Sequence, residues 1–339
     1  IDVGNSGTTA RFCTGAASLG REIITITGDE QTKRRPMGPL INALNNLGAD
    51  VQSIEGNGRL PIIVKGRLKG GKTEVSGVTS QFISSLLISC PLSDGDSEIH
   101  VKGLNEKPYV GMTLWWLNKQ GIVYQQENLE HFFIKGNQSY RPFQEGVPAD
   151  FSSATFFLCA GAITDSEINL KGLDMDDTQG DKKIVSLLKD MGANIDITEK
   201  GITVKGGMLR GIEIDMNDTP DALPAMSVVG CIAEGKTVLR NVPQARIKET
   251  DRITVMRNEL SKMGGDIEEL PDGLIIKKSN LKGATVSGHG DHRVVMSLAV
   301  AGLAAKGVTE IDTAEAMNVT FPNFADLMNG LGAYMSLHP

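Results

Sequence analysis

Two unrelated series of short motifs recur along this chain with the same spacing of about seventy residues. A shared period of that length restricts the fold to an array of repeated supersecondary units. In the first series an amphipathic helix runs into a glycine and then a strand: LINALNNLGADV, LWWLNKQGIVY, IVSLLKDMGANI, MRNELSKMGGDI and LMNGLGAYM. The glycines are Gly48, Gly121, Gly192, Gly264 and Gly332, separated by 73, 71, 72 and 68 residues. Glycine just past a last helical turn accepts the left-handed backbone that ends a helix. In the second series a polar turn opens an almost wholly apolar helix: SGTTARFCTGAA, TSQFISSLLIS, DFSSATFFLCAGAI, TPDALPAMSVVGCIA and GDHRVVMSLAVAGLAA. Thr8, Ser80, Ser152, Asp221 and Asp291 mark these turns at intervals of 72, 72, 69 and 70. Strands such as LPIIVKG, EIHVKG, SEINLKG, GITVKGG and GLIIKKS complete the units. The expectation is an α/β chain of five visible repeats.

A length of 339 residues exceeds one ordinary core, so two domains are expected. Pro and Gly cluster in YRPFQEGVPAD, which sets a boundary near 145. Two repeats lie in 1–145 and three in 146–339. The chain opens on IDVGNSGTTARF, with no Met and a glycine-rich turn under way, and a sixth repeat is therefore expected ahead of Ile1. A net charge of −7 argues against nucleic acid or an anionic membrane as partner. No apolar run reaches the roughly 18 residues that span a bilayer. Cys13, Cys90, Cys159 and Cys231 show no CxxC or Cys/His spacing, so they are read as free core thiols in a reducing compartment, with no zinc site or disulfide framework.

The chemistry gathers at the polar turns. A helix start offers free N–H groups and the positive end of the dipole, which favours a bound anion, although simple N-capping also selects Ser, Thr and Asp there. Arg11 and Arg293 are read in first turns, where a cation is disfavoured unless an anion is near. Arg35 precedes an amphipathic helix, and RIKETDR (246–252) leads into another whose apolar stripe is Ile253, Met256, Leu260 and Met263. Counting back along that stripe reaches Arg252 and Glu249. Nearby carboxylates look too few for these guanidinium groups, so a small molecule with more than one anionic group is expected. Asp221 and Glu249 are the acids placed for proton transfer, and His292 adjoins Asp291 and Arg293.

GNSGTTAR, RPMGPL, TSQFISSLL, KPYVGMT, NDTPDA, IKETDR, GDHR and TFPNF occur here in the order that resembles the 5-enolpyruvylshikimate-3-phosphate synthase family. The resemblance covers essentially the whole chain. It implies the two-domain enolpyruvyl transferase fold of repeated βαβαββ units, five of six visible, with a cleft between the domains. It also implies transfer of the enolpyruvyl group from phosphoenolpyruvate to the 5-hydroxyl of shikimate 3-phosphate, with no cofactor and no metal, in a cytoplasmic monomer. By the same resemblance Gly7, Thr8, Arg35, Gln81, Arg252 and Arg293 would bind phosphoenolpyruvate. Thr79, Ser80, Gln81, Tyr109, Asp221, Gln244 and Lys248 would bind shikimate 3-phosphate, with Asp221, Glu249 and Lys248 catalytic.

Several positions depart from the family's pattern. The family's Lys-Ser-x-Ser-x-Arg segment is not present, and is expected ahead of Ile1. Val319 stands where a Lys often precedes the TFP run, Glu106 where a Ser precedes KPY, and Phe12 where many members have Pro. Two other readings compete with this one. The sister transferase acting on UDP-N-acetylglucosamine typically carries a Cys in the loop corresponding to QTKRRPMG, and none is there. A non-catalytic anion-binding module would explain the helix starts but not the pairing of Asp221 and Glu249 with cations.

Overall fold

The computed structural model describes residues 1–338 and divides into two compact units, Ile1–Gly146 and the residues from Val147 onward. In the first unit the order is α1 (Gly7–Ala17), β1 (Ile24–Ile26), α2 (Glu30–Arg34), α3 (Gly38–Asn46), β2 (Asp50–Ser53), β3 (Ile62–Lys65), β4 (Gly71–Ser76), α4 (Ser80–Ser89), β5 (Ser97–Lys102), α5 (Lys107–Lys119), β6 (Tyr124–Glu127) and β7 (His131–Ile134). One sheet has the order β1-β3-β2, and a second has the order β4-β5-β7-β6, with β4 and β5 parallel and the other pairs antiparallel.

The second unit runs α6 (Phe151–Ile163), β8 (Glu167–Leu170), α7 (Lys183–Asp190), β9 (Asn194–Thr198), β10 (Gly201–Lys205), β11 (Glu213–Asp215), α8 (Leu223–Ile232), β12 (Lys236–Arg240) and α9 (Arg252–Lys262). It continues with β13 (Asp266–Leu270), β14 (Gly273–Lys277), β15 (Thr285–Ser287), α10 (His292–Ala304), β16 (Glu310–Asp312) and α11 (Phe324–Gly330). Its sheets are β8-β10-β9, β11-β12-β14-β13 and the parallel pair β15-β16.

Local chemistry accounts for these elements. The apolar helices are the centre of each unit: α1 packs on α4 and α4 on α5, while α6, α8 and α10 pack on one another. Helix α6 is buried along nearly its whole length, as expected when a helix is apolar all round. Helices α1 and α4 approach so closely that a Cβ at Gly15 would collide with Ser85 and Ser89, which makes the small residue a requirement of the packing. The amphipathic helices lay their apolar stripes on strands, α3 against β2 and β4 and α9 against β13. Gly48, Gly121, Gly192, Gly264 and Gly332 all adopt positive φ, between 71° and 101°, so each ends its helix by the left-handed route read from the sequence.

The polar turns before the apolar helices are mostly side-chain caps. Ser6, Thr79, Asp150 and Asp291 each accept a backbone N–H of the helix that follows. Asp221 differs: it lies in a 3-10 turn, Pro220–Ala222, and α8 begins at Leu223 with no side-chain cap. A second difference concerns Arg11. Helix α1 begins at Gly7, so Arg11 occupies the second turn, where the dipole no longer decides its environment. No helix among the described residues is long and apolar enough to cross a membrane.

Candidate functional site

In the first unit, two helix starts and the turn before α3 bring five of the expected residues together. Arg11 is buried, donates to Gln81 Oε1 at 3.0 Å and to the Pro36 carbonyl at 3.3 Å, and lies over the Phe82 ring at 5.6 Å. Gln81 in turn donates to Thr8 Oγ1 at 2.9 Å. Arg35 is also buried, at the C-terminal end of α2. The guanidinium groups of Arg11 and Arg35 both reach the place that a Cβ at Gly7 would fill. Gly7 is thus the residue that lets two cations stand against a helix start. Arg11, to which the resemblance assigns no ligand, is made a member of this group by its neighbours.

The start of α4 is differently equipped. Thr79 caps the helix, and the carboxylate of Glu106 sits on the same turn: Glu106 Oε2 accepts from Ser80 Oγ at 2.8 Å, Ser80 N at 3.2 Å and Thr79 Oγ1 at 3.3 Å. Glu106 is buried, and its backbone is left-handed, φ 57°. An internal carboxylate therefore engages the donors that the resemblance assigns to a substrate phosphate. Tyr109 lies in the first turn of α5, half-buried, with its N–H donated to the Glu106 carbonyl at 3.1 Å.

In the second unit the RIKETDR segment splits by role. Arg246 is structural: it bonds Asp251 at 2.7 Å and Glu269 at 2.9 Å, while Asp251 caps α9 through Thr254 N. Lys248, Glu249 and Arg252 turn the other way. Arg252 is 1% exposed and is met by three carboxylates, Glu249 at 2.6 Å, Asp221 at 2.8 Å and Asp291 at 2.9 and 3.1 Å. The expectation that carboxylates would be too few for this guanidinium is thereby corrected. Asp221 and Asp291 are 31 and 39 residues away in sequence, so the local stretch could not reveal them. Glu249 precedes α9 and is held by its ion pair rather than by a helical stripe.

Asp221 stands amid cations: Arg252 on Oδ1, Lys248 at 3.6 Å from the same oxygen, and Arg293 at 3.5 Å from Oδ2. Burial pushes its pKa up, but Arg293, Lys248 and Arg252 outweigh burial and hold it well below the usual carboxylate range. The guanidinium of Arg252 is disfavoured by burial and more than compensated by Asp291, Glu249 and Asp221, so it stays charged. His292, at the first position of α10, is pushed down to about 4 by burial and then by Arg293 and Arg252, which leaves its imidazole neutral at ordinary pH. Asp291 accepts from Thr250 Oγ1 at 3.0 Å as well as from Arg252, and it caps α10 through Arg293 N. Gln244 is buried and donates to the Asn217 carbonyl at 3.1 Å, and its Oε1 has no hydrogen-bond partner among the described residues.

Chemically the second unit offers a fully ionised carboxylate in a ring of cations, with a second acid, Glu249, sharing Arg252. Such a ring can stabilise negative charge that develops on an oxygen. Val319, in contrast, is an exposed apolar residue in the turn before the TFPNF run. Asp291 and Thr250 are participants that sequence reading left without a ligand or partner. The signal for Asp291 was the polar-turn series, in which it is the fifth marker; Thr250 lies inside RIKETDR and had no such signal.

Comparison with known proteins gives a uniform result. Residues 1–328 match the family model described as EPSP synthase (3-phosphoshikimate 1-carboxyvinyltransferase). A 3-phosphoshikimate 1-carboxyvinyltransferase of Acetivibrio thermocellus is 57% identical over 336 residues, covering 99% of this chain and 79% of the relative. One from Ruminiclostridium cellulolyticum is 53% identical over 337 residues, covering 99% and 80%. Among solved structures, an EPSP synthase from Acinetobacter baumannii superposes with a TM-score of 0.78 at 29% identity, over 98% of this chain and 78% of that one.

Proposed function

This chain belongs to the EPSP synthase family, and on that premise we propose the following division of labour among its residues. The reaction is transfer of the enolpyruvyl group of phosphoenolpyruvate to the 5-hydroxyl of shikimate 3-phosphate with release of phosphate, a step of the shikimate pathway towards aromatic amino acids. The hydroxyl oxygen attacks C2 of phosphoenolpyruvate while C3 takes a proton. The tetrahedral adduct then expels phosphate, and C3 gives a proton back as the double bond re-forms. No covalent bond to the protein is needed. The protein's task is to hold anions and move two protons.

Gly7, Thr8, Arg35, Gln81, Arg252 and Arg293 hold phosphoenolpyruvate in this reading. Thr79, Ser80, Gln81, Tyr109, Asp221, Gln244 and Lys248 hold shikimate 3-phosphate. The observation that carries it is the ring of Lys248, Arg252 and Arg293 around Asp221, with Glu249 on the same guanidinium. Because Asp221 is held well below the usual carboxylate range, it is a weak base at rest. It orients the 5-hydroxyl and accepts the proton only as the new C–O bond forms. Glu249 serves the methylene carbon. Lys248 adds positive charge beside Asp221, and the chain acts as a cytoplasmic monomer with its domains parted near 145.

Phosphate release from phosphoenolpyruvate on addition of shikimate 3-phosphate tests the assignment, with Glu249→Gln alongside. Release that depends on both substrates and falls at least a hundredfold in the variant is expected, the range of a lost general acid–base group. Near-normal turnover by Glu249→Gln would remove it from the chemistry.

A further inference from the structure

The exposed face of the β4-β5-β7-β6 sheet carries a second convergence of titratable groups, away from the residues assigned above. His100 and His131 face each other across β5 and β7. The adjoining pair carries the ladder bond, Val101 N to Glu130 O at 2.7 Å, so His100 and His131 form a non-hydrogen-bonded pair, the type in which side chains stand closest. Their rings stack at 4.2 Å with an interplanar angle of 11°. Glu98, two residues upstream of His100, projects from the same face because side chains alternate along a strand. Its Oε1 lies 3.1 Å from His100 Nε2 and 3.2 Å from His131 Nε2.

We propose that Glu98, His100 and His131 form a binding site for a divalent transition-metal cation of the Zn²⁺, Cu²⁺ or Ni²⁺ class, joining β5 to β7. Two imidazoles and one carboxylate are the donor set such borderline cations take, whereas Mg²⁺ and Ca²⁺ require oxygen shells. Metal–ligand bonds of about 2.0–2.2 Å place neighbouring donors about 2.9 Å apart in an octahedral site and about 3.4 Å apart in a tetrahedral one. The two Glu98–His separations, 3.1 and 3.2 Å, fall within that interval. All three donor atoms lie within 4.8 Å of one another. The remaining adjustment is to fan the stacked rings apart so that both Nε2 lone pairs meet one cation. Both imidazoles are partly exposed and have room to turn.

Two further features suit the site. Lys72 bonds the other oxygen of Glu98, Oε2, at 2.7 Å, which orients the carboxylate with Oε1 towards the imidazoles, as an outer-shell partner does. The platform is also rigid. The opposite sides of β5 and β7 are core, with Ile99, Phe132 and Ile134 fully buried, and strand-borne donors hold their spacing better than loop-borne ones. Binding leaves one position for water in a tetrahedral site and three in an octahedral one.

Titration of the whole chain with Zn²⁺ by calorimetry, and with Cu²⁺ followed by electron paramagnetic resonance, tests the proposal. The expected result is one equivalent per chain with hyperfine structure from two imidazole nitrogens. In His100→Ala and in His131→Ala, affinity falls about tenfold or more and the two-nitrogen signal is lost. His289→Ala, in the other unit, leaves both unchanged. Zn²⁺ raises the melting temperature of the parent chain but not of either variant. Circular dichroism of the variants confirms that these surface substitutions keep the fold. Equal binding by the parent and both variants, or a Cu²⁺ signal without two nitrogens, overturns the site.

Discussion

Glu106→Ser isolates the oddest feature of the first unit. The Glu106 carboxylate engages Ser80 Oγ, Ser80 N and Thr79 Oγ1 at 2.8, 3.2 and 3.3 Å, the donors proposed for the substrate's 3-phosphate. A phosphate arriving beside an unmoved carboxylate at about 4 Å meets a repulsion of about 4 kcal/mol per charge pair at an effective dielectric of 20. Swinging Glu106 away instead forfeits its charge-assisted bonds, of which the shortest alone is worth about 1.5–3 kcal/mol. The cheaper route sets the magnitude, so removing the carboxylate strengthens binding of shikimate 3-phosphate by about 2 kcal/mol, or about thirtyfold. Shikimate itself, lacking the phosphate, gains nothing. Calorimetric titration of both ligands into the parent chain and the variant gives the comparison directly, and Glu106→Gln, which keeps an acceptor but no charge, falls between. The variant also loses an anion at a helix N-terminus and is less stable by about 1 kcal/mol. Equal affinity for shikimate 3-phosphate in parent and Glu106→Ser would show that the carboxylate is a cap for α4 and does not compete with the phosphate.

Three further outcomes follow from the same geometry. Asp291→Ala removes two bonds to the buried Arg252, the bond from Thr250 and the cap of α10. A loss of about 3–5 kcal/mol is expected, read as a lower urea midpoint, and a loss under about 1 kcal/mol would refute the account of Arg252 as a charge that depends on its partners. Gly7→Ala drives a methyl group into the Arg11 and Arg35 guanidinium nitrogens. Displacing one charged contact weakens phosphoenolpyruvate binding about tenfold or more, visible as a raised KM with shikimate 3-phosphate affinity little changed. His292, neutral in the folded chain until about pH 4, takes its proton near 6.5 when unfolded, so its contribution is complete above 6.5 and is lost as pH falls from there to 4. The loss is about 3 kcal/mol. Denaturant titrations across that window should show His292→Gln with a flatter pH profile than the parent chain.

The helices were legible because each repeats a rule with a local cause. A glycine at positive φ ends the amphipathic helices, and the polar turns marked by Thr8, Ser80, Ser152 and Asp291, capped by Ser6, Thr79, Asp150 and Asp291, begin apolar ones, so the positions could be read off at a fixed spacing. Position 221 kept the spacing but not the cap. Pro220 favours a tight turn there, so α8 starts two residues later and leaves the Asp221 side chain for the cations. What sequence could not supply was pairing across distance. Arg252 looked short of carboxylates because Asp221 and Asp291 come from other segments, and Glu98, His100 and His131 carry no spacing that marks a site until β5 and β7 pair.

The charge arrangement around Arg252 then explains which residues of RIKETDR face the chemistry. A guanidinium 1% exposed cannot remain without anions, and two of its three, Asp291 and Glu249, more than balance its single charge before Asp221 is counted. Asp221 is therefore governed as much by Lys248 and Arg293, the less buried cations of the group, as by Arg252. Those two are also the more exposed cations of the group, so in the proposed reaction an arriving anionic substrate meets them before Arg252. Their withdrawal towards substrate would relax the hold on Asp221 and raise its proton affinity when a hydroxyl proton has to be accepted. In that proposal a base kept weak at rest and strengthened by its own substrate needs only this division between one fully buried cation and two more exposed ones.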